Sequence, residues 1–590
     1  SYSQLAQINV NEIETISILK DASSTAIYGI KGANGVLVVT TRRGQVGPPR
    51  INLRVESGMQ TPVKKPQFLN AYETAVLRNE ALSNDGLPAE FTPRDLALFQ
   101  NGNDPYGHPD VNWYDVVFKP NSLQANTNVD ISGGTEGVRY FISGGALTQN
   151  GAVRNFPSPK EEVNNNFFFN RYNFRTNLDL KATKTLDLRL DLTGRFGEIN
   201  EPFGNRGLLG EIFNYNRISP YAAPVLNPNG SYAYNPKSLG VDNLATINSR
   251  IATQGYTRER STDFNVFIEA KQKLDFITEG LAVNARVAYA STATVNRGLR
   301  RYGNPPAYRF NPETNSYTIK PGELKYVLDP YVLFGGAGTD SKNTNLQGIF
   351  TYNRNFGKHN INGLGVFNQR RASNAASLPD NFRGYSLRVG YGFDNKYLID
   401  FTNAYNGTDR FKKHYGYFPA ASAAWNISEE SFIKDNAKFI DFFKLRASYG
   451  IVGSDAVVGN KYLYLQQYNE GGSYAFGQTP IGTGGITEGT LGNSSVVWEK
   501  QRSLDIGVEL NMFKGKFALV FDWFRNIRYD QLIQRNSVSN IVGVDLPRDN
   551  LGRVRNAGFD GSFHYRPTKG DLFMDFGLVF SYAKNQILFM

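Results

Sequence analysis

The feature that most constrains this chain is a two-residue alternation of apolar and polar side chains. Between residues 186 and 192, leucines alternate with Asp187, Arg189 and Asp191. Successive side chains of a β-strand point to opposite faces, so this segment predicts a strand with one apolar and one charged face. The pattern recurs and predicts about 17 strands, most of them long enough for the roughly 9–11 residues of a tilted membrane-spanning strand.

The connections between the predicted strands alternate between short and long. Short turns are centred on Thr135, Thr183, Leu274, Gly357, Asp394, Lys514 and Lys569. Long connections cover residues 59–123, 148–168, 198–261, 291–342, 451–500 and 527–553. Short turns at one rim and long loops at the other are typical of outer-membrane barrels. One connection departs from the rule, because residues 427–438 should form a short turn but are of middling length and suit a helix.

Two local features of the long connections can be interpreted. Residues 70–82 and 92–100 have the composition of helices, and the second begins with Thr92 as N-cap and Pro93 at the first helical position. The run from Asn227 to Gly230 could resemble a calcium loop, but it has no carboxylate, so a plain turn is favoured. Tyr, Asn, Gly and Phe are abundant in these loops and would suit sugars, peptides or contacts with a protein lid equally well.

Composition narrows the fold to two classes. The 590 residues exceed one ordinary soluble core, the mean hydropathy is −0.41, and no apolar run is long enough for a membrane helix. A large soluble β protein or a transmembrane antiparallel β-barrel would fit. The apolar faces carry aromatic residues towards the strand ends, as an interfacial belt requires, and examples are Tyr172, Tyr289, Phe517 and Trp523.

The same composition argues against catalysis and nucleic-acid binding. There is no cysteine, the four histidines are scattered, and no G-x-S-x-G elbow is present, so we expect no enzymatic activity, cofactor or metal site. The net charge is +11, but basic residues alternate with acids instead of clustering. We therefore interpret the charged strand faces as solvated surfaces and expect no nucleic-acid partner.

The N-terminal stretch from Ile8 to Gly44 contains glycines at positions 29, 32 and 35, followed by the apolar run Val36–Val39. The apolar run predicts a strand buried on both faces. The glycine spacing matches neither phosphate-binding motif, and the glycines precede a strand where those motifs open a helix. Turn-forming glycines between two strands are the simpler interpretation.

Residues 13–36 closely resemble the end of the plug domain of TonB-dependent outer-membrane transporters of the SusC/RagA family. The family's run "I-E-x-I-x-x-L-K-D-A-S-x-x-A-I-Y-G-x-x-G-A-N-G-V" is matched with few departures. The resemblance implies that the motif residues shape the plug and bind no ligand; they are Asp21, Tyr28, Gly29, Gly32, Asn34 and Gly35.

The resemblance continues through the rest of the chain, in similar runs at residues 113–118, 132–143, 171–177, 406–411, 416–425, 444–450 and 498–499. It implies that residues 1–46 are the C-terminal part of the plug and residues 50–590 the barrel, joined by a proline-containing linker at residues 45–49. Barrels of this family have about 22 strands. We therefore expect a fragment that lacks most of the plug, the TonB-contacting segment and the last strands.

The resemblance also implies a function. Members import nutrient oligomers across the outer membrane of Gram-negative bacteria, with oligosaccharides as the first expectation here and peptides as the second. A TonB–ExbB–ExbD complex supplies force from the proton gradient, and a SusD-like surface lipoprotein covers the long loops as a lid. Two alternatives remain open: a siderophore or cobalamin receptor of the same fold, and a non-transporting surface protein that binds glycans.

Overall fold

The computed structural model describes residues 10–19, 36–156, 163–214, 217–236, 243–301, 307–321, 329–374, 377–456, 461–476, 481–534, 546–569 and 572–590. Seventeen long strands form one antiparallel barrel and follow one another around it in chain order. This confirms the predicted all-β class and strand number. Within the described part of the chain, no helix has the length and apolarity needed to cross a bilayer.

The N-terminal hairpin consists of β1 (Ile13–Leu19) and β2 (Val36–Thr41). The barrel strands are β3 (Gly47–Gln60), β4 (Ser122–Gly134), β5 (Val138–Asn150), β6 (Phe168–Lys181), β7 (Leu186–Pro202), β8 (Gly255–Lys273), β9 (Leu281–Arg300), β10 (Val332–Phe356), β11 (His359–Asn374), β12 (Ser377–Phe393), β13 (Tyr397–Thr408), β14 (Tyr415–Asn426), β15 (Ile440–Ser454), β16 (Glu499–Met512), β17 (Phe517–Ile533), β18 (Asp549–Tyr565) and β19 (Phe576–Phe589).

The helices are α1 (Ala71–Asn84), α2 (Pro93–Asn101), α3 (Trp113–Val117), α4 (Asn205–Gly210), α5 (Ile247–Thr253) and α6 (Ser431–Asn436). The two predicted helices of the first long connection are confirmed as α1 and α2. Each begins with a capping box, in which Asn70 pairs with Glu73 and Thr92 with Asp95. The middling connection at residues 427–438 is helical, as the sequence indicates, and contains α6.

The registers explain the alternation in the sequence. Leu190 on β7 lies between Leu178 on β6 and Ile268 on β8, and all three point outward. The alternate residues along each of these strands point into the lumen. There Asp191 on β7 lies opposite Asn177 on β6. An apolar outer surface around a polar interior is the arrangement of a membrane barrel.

Aromatic side chains gather at the rim of the short turns. Phe517 stacks on Tyr565 at 4.7 Å between ring centroids, and Phe439 stacks on Phe513 at 5.5 Å. Trp523, farther up the same outer face as Phe517, is 38% exposed. Rings in these positions suit the boundary between hydrocarbon and water.

Three sequence expectations are corrected. The prolines at positions 48 and 49 lie inside β3, where a register shift between Gly47 and Arg50 accommodates their missing N–H groups. Strand β2 is not buried on both faces, because Leu37 is 43% exposed. The alternation of loop length also breaks at the long-loop rim, where only two residues separate β11 from β12 and six separate β13 from β14.

A charge placed on the outer face should destabilise the barrel more than the same charge in the lumen. We expect Leu192→Arg on β7 to lower the free energy of unfolding in lipid vesicles by about 2–4 kcal/mol, since an arginine there must leave water for hydrocarbon. The matched control is Ser386→Arg, which points inward on β12 at a similar distance from the short-turn rim. Equal losses in both variants would contradict the assignment of the two faces.

Candidate functional site

The six motif residues predicted from the sequence, at positions 21, 28, 29, 32, 34 and 35, all lie outside the described residues. What the structure describes is the hairpin on either side of them. This hairpin contacts the inner wall of β4, β5, β6 and β7 through charged and amide side chains. We call this set of contacts the hairpin anchor.

The first part of the anchor is Glu12, which ends a short 3-10 turn before β1 and is only 4% exposed. Arg175 on β6 donates from Nε to Glu12 Oε2 at 2.6 Å. Ser143 and Asn173 each donate to Oε1 at 3.1 Å. A buried carboxylate is tolerable because three wall donors from two strands satisfy its oxygens.

The second part is Arg43, which follows β2. Its guanidinium binds Asp179 with two hydrogen bonds of 2.6 and 2.9 Å and binds Asp191 at 2.8 Å. Burial alone would lower the pKa of Arg43, but the bonds to the two carboxylates outweigh it and raise the pKa. The planar fork of arginine fits this paired geometry, which a lysine could not reproduce.

The third part is the backbone around Arg42. Its carbonyl accepts a 2.7 Å hydrogen bond from Asn177 on β6, and its guanidinium lies 5.3 Å from the centre of the Phe141 ring. Gly44 then passes so close to β5 that a Cβ there would lie 2.4 Å from the backbone nitrogen and oxygen of Tyr140. Glycine is therefore required where the chain leaves the lumen for β3.

Sequence analysis alone did not identify Glu12, Arg42 and Arg43 as functional residues. It interpreted the charged faces of β6 and β7 as solvated, and this is wrong where the hairpin covers them, since Arg175 is only 9% exposed. The available signal was the density of charge on two adjacent inward faces, which predicts a partner of complementary charge. Local patterns cannot say which segment supplies that partner.

At the long-loop rim of the barrel, several loops pack together. Trp113 and Val117 on α3 pack against Ile247 and Ile251 on α5, and the Trp113 indole donates to the carbonyl of Ser219 at 3.2 Å. All seven residues of α5 are buried. These loops have their own apolar core, so the rim above β3–β8 is an ordered surface.

A second loop cluster lies above β12–β17. Trp498 packs edge-on against Phe411 and Phe418, at 5.7 and 5.4 Å between ring centroids, and its indole donates to the carbonyl of His414 at 3.2 Å. Leu463 and other buried apolar residues complete this core. The connection between β15 and β16 is thereby docked onto the barrel mouth.

Charged residues surround this second cluster. Arg410 forms an ion pair with Asp380 at 3.2 Å and donates to the carbonyl of Asp455 at 3.0 Å, and Lys461 reaches Asp380 at 3.2 Å. Burial raises the pKa of Asp455, although Arg410 and a 2.9 Å hydrogen bond from Thr408 oppose the shift. The arrangement couples the ionisation of Asp455 to the docking of the loop.

The run from Asn227 to Gly230 forms the plain turn that its composition favours. The N–H of Gly230 donates to the carbonyl of Asn227 at 2.8 Å, and Gly230 has a left-handed φ of 78°. The Asn227 amide donates to the carbonyl of Tyr308 at 3.0 Å and so ties two long loops together.

The sequence profile of the family described as TonB dependent receptor-like, beta-barrel matches residues 199–587, more than half of the chain. The chain belongs to the TonB-dependent receptor family. This confirms the predicted β-barrel fold class and, at the level of TonB-dependent receptors, the family resemblance.

Two curated TonB-dependent receptors align along nearly the whole chain. The TonB-dependent receptor SusC of Bacteroides thetaiotaomicron is 27% identical, over 95% of this chain and 55% of its own length. TonB-dependent receptor P3 of Formosa agariphila is 25% identical, over 98% of this chain and 55% of its own length. The chain thus spans about half the length of the curated relatives that it matches.

Solved structures share the fold. A chain of the RagAB peptide transporter superposes with a TM-score of 0.75 at 18% identity, covering 100% of this chain and 67% of that one. The siderophore receptor PirA from Pseudomonas aeruginosa gives a TM-score of 0.50 at 11% identity, covering 99% of this chain and 76% of that one. The barrel therefore superposes more closely on the RagAB chain than on PirA.

Removing the charge of Glu12 should loosen the hairpin. We expect Glu12→Gln to cost about 3–5 kcal/mol of anchoring free energy, because the Arg175 charge would stay buried without its partner. The measurement is the urea concentration at which residues 10–19 become accessible to protease in the full-length protein. The control Glu14→Gln changes an exposed residue of the same hairpin and should cost less than about 0.5 kcal/mol. Similar midpoints for the two variants would refute the anchor.

The docked β15–β16 connection should respond to pH in a defined direction. The pKa of Asp455 is raised in the folded state, so the protonated carboxyl favours the docked loop. This contribution to stability is complete in acid and is lost as the pH rises through the folded-state pKa of Asp455. We expect Asp455→Asn to increase hydrogen-exchange protection of residues 461–476 at neutral pH, with the difference vanishing below about pH 4. Asp435→Asn, on the exposed helix α6, serves as the control and should change nothing. A loss of protection at neutral pH in Asp455→Asn would contradict the claim that ionisation of Asp455 weakens the docking of this connection.

Proposed function

We propose that this chain is part of a TonB-dependent importer that carries a nutrient oligomer across the outer membrane of a Gram-negative bacterium. The observation that carries the proposal is the hairpin anchor, because buried ion pairs hold a segment against the lumen wall where a solute would have to pass. Glu12 with Arg175, and Arg43 with Asp179 and Asp191, are strong enough that opening needs work. A passive pore would have no use for such contacts.

The same contacts support a proposed division of the chain. Residues 1–46 would be the end of the plug, and residues 50–590 the barrel with its loops. The six motif residues between β1 and β2 would shape the plug without binding a ligand. Force would come from a TonB–ExbB–ExbD complex acting on the plug, in keeping with the name TonB-dependent receptor that the matched relatives carry.

A surface lipoprotein of the SusD type is the proposed protein partner. The two loop clusters support this, because each has its own apolar core and together they offer an ordered rim on which a lid could rest. Oligosaccharides are the first proposed cargo and peptides the second. RagAB, which shares the fold, is itself described as a peptide transporter, so the peptide proposal is retained.

Two other functions remain distinguishable. A siderophore or cobalamin receptor would use the same barrel, but the higher structural similarity to RagAB than to PirA supports the SusC/RagA type. A surface protein that binds glycans without transporting them would need no ion pairs between a lumen segment and the wall. Uptake by the cross-linked protein, measured with competing ligands, separates all three functions.

Locking the hairpin to the wall should stop import. Residues 1–590 contain no cysteine, so the introduced pair is unique within them. Thr41 and Asn177 are suitable because their side chains approach to 3.4 Å. In the full-length protein in cells, Thr41→Cys with Asn177→Cys, bridged by a short thiol cross-linker, should abolish energy-dependent uptake. Each single cysteine variant should retain energy-dependent uptake after the same treatment.

Wild-type uptake in the cross-linked protein would overturn the proposal that the hairpin must move. The same cells identify the cargo class, because unlabelled oligosaccharides, peptides or ferric siderophores can be compared as competitors of uptake. Competition by ferric siderophores alone would favour the receptor alternative. Glycan binding at the surface with no uptake in any variant would favour the non-transporting protein.

A further inference from the structure

The outer face of β16, β17 and β18 carries a band of large apolar side chains at one level. Ile506, Trp523 and Phe559 are paired across the three strands in register. They are 47%, 38% and 37% exposed, respectively. Side chains of this kind on an outer barrel surface face hydrocarbon.

Basic side chains follow directly above this band, towards the long-loop rim. Two residues beyond Trp523 on the same face is Arg525, and the next register pairs Arg502 and Arg555 with Ile527 between them. Alternate residues of a strand share a face, so all three arginines point outward. With strands about 4.8 Å apart, Arg502 and Arg555 are separated by about 10 Å, and Arg525 lies between them one level lower. We call these three residues the outer arginine patch.

The charge of the patch is not balanced by nearby acids. Among the described residues, no carboxylate lies within ion-pair distance of Arg502, Arg525 or Arg555. Two members of the patch contact uncharged groups: Arg502 lies 4.9 Å from the centre of the Tyr529 ring, and Arg555 donates to the side chain of Gln586.

Asp530, near the end of β17, pairs with Lys500 at 3.4 Å, and the acids at the level of the patch point the other way. Asp505 and Asp522 face the lumen, where they bind Arg446 at 3.3 and 2.6 Å. Elsewhere on the outer face an exposed arginine does find an acid, because Arg260 on β8 pairs with Glu198 on β7 at 2.9 Å. Unbalanced positive charge is thus a property of this patch and not of every outer strand end.

We propose that the outer arginine patch binds the phosphate groups of a phosphorylated glycolipid headgroup in the leaflet on the long-loop side. Guanidinium groups match phosphate geometry with paired hydrogen bonds, and long arginine side chains can reach from an apolar wall to the headgroup level. The ligand lies beside the barrel because the patch joins the hydrocarbon-facing band without a break. The inference rests on the proposed outer-membrane orientation and not on the cargo.

The test uses the full-length protein in nanodiscs of neutral phospholipid, with bis-phosphorylated lipid A as the probe and native mass spectrometry as the readout. We expect the combined variant Arg502→Gln/Arg525→Gln/Arg555→Gln to weaken lipid A binding on the order of a hundredfold, since each basic group near a charged membrane surface contributes about fivefold. The corresponding lysine variant should keep most of the binding. The matched control is Arg258→Gln/Arg260→Gln, whose charges already have an acidic partner.

The outcomes separate the sources of phosphate. Dephosphorylated lipid A should bind the wild type as weakly as it binds the glutamine variant. Displacement by millimolar inorganic phosphate would overturn the lipid assignment in favour of a free-anion site. Equal lipid A binding by the wild type and the glutamine variant, with both running as heat-modifiable barrels, would overturn the proposal that the outer arginine patch binds lipid A. Uptake is not read in this experiment, so its failure leaves the proposed import function untouched.

Discussion

The constraint on which the whole structure depends is the cost of an unpaired backbone group in hydrocarbon. Water cannot satisfy N–H and C=O groups there, so every spanning segment must find its partners in a neighbouring segment. Antiparallel registers join consecutive strands from β3 to β19 over most of their length and pair the backbone groups between them. Strand alternation then divides the side chains into a lipid-facing set and a lumen-facing set, and the rest of the molecule is built on that division.

The lumen-facing set is polar and largely paired with itself. Three ion pairs each join two neighbouring strands: Arg388 binds Asp400, Arg286 binds Glu269, and Arg195 binds Asp263. The wall of β6 and β7 differs, because part of its charge is paired with the N-terminal hairpin. Using ion pairs where apolar packing would also hold gives a contact that is specific in position and can be broken without exposing apolar surface.

The long loops at the barrel mouth stabilise one another by packing together. Ordering a single long connection in water is unfavourable, because each ordered residue loses conformational entropy. Here they pack on one another, through Trp113 on one side and Trp498 on the other, and so share the apolar area that orders them. The result is a rim with two stable platforms, joined to the barrel by buried indole and carboxylate groups such as Asp455.

Local pattern determined a great deal about this protein. The leucines at 186–192 indicate which residues face lipid, Thr92-Pro93 marks the start of α2, and the plug motif identifies the family, because each depends only on neighbours in the chain. Tertiary structure alone decided which charges meet. Glu12 and Arg175 are 163 residues apart, and Arg43 and Asp191 are 148 apart. No local signal links them, since their pairing depends on barrel registers that bring distant strands around one segment. The same registers decide that Arg502, Arg525 and Arg555 share a face, which spacing along the sequence could not reveal.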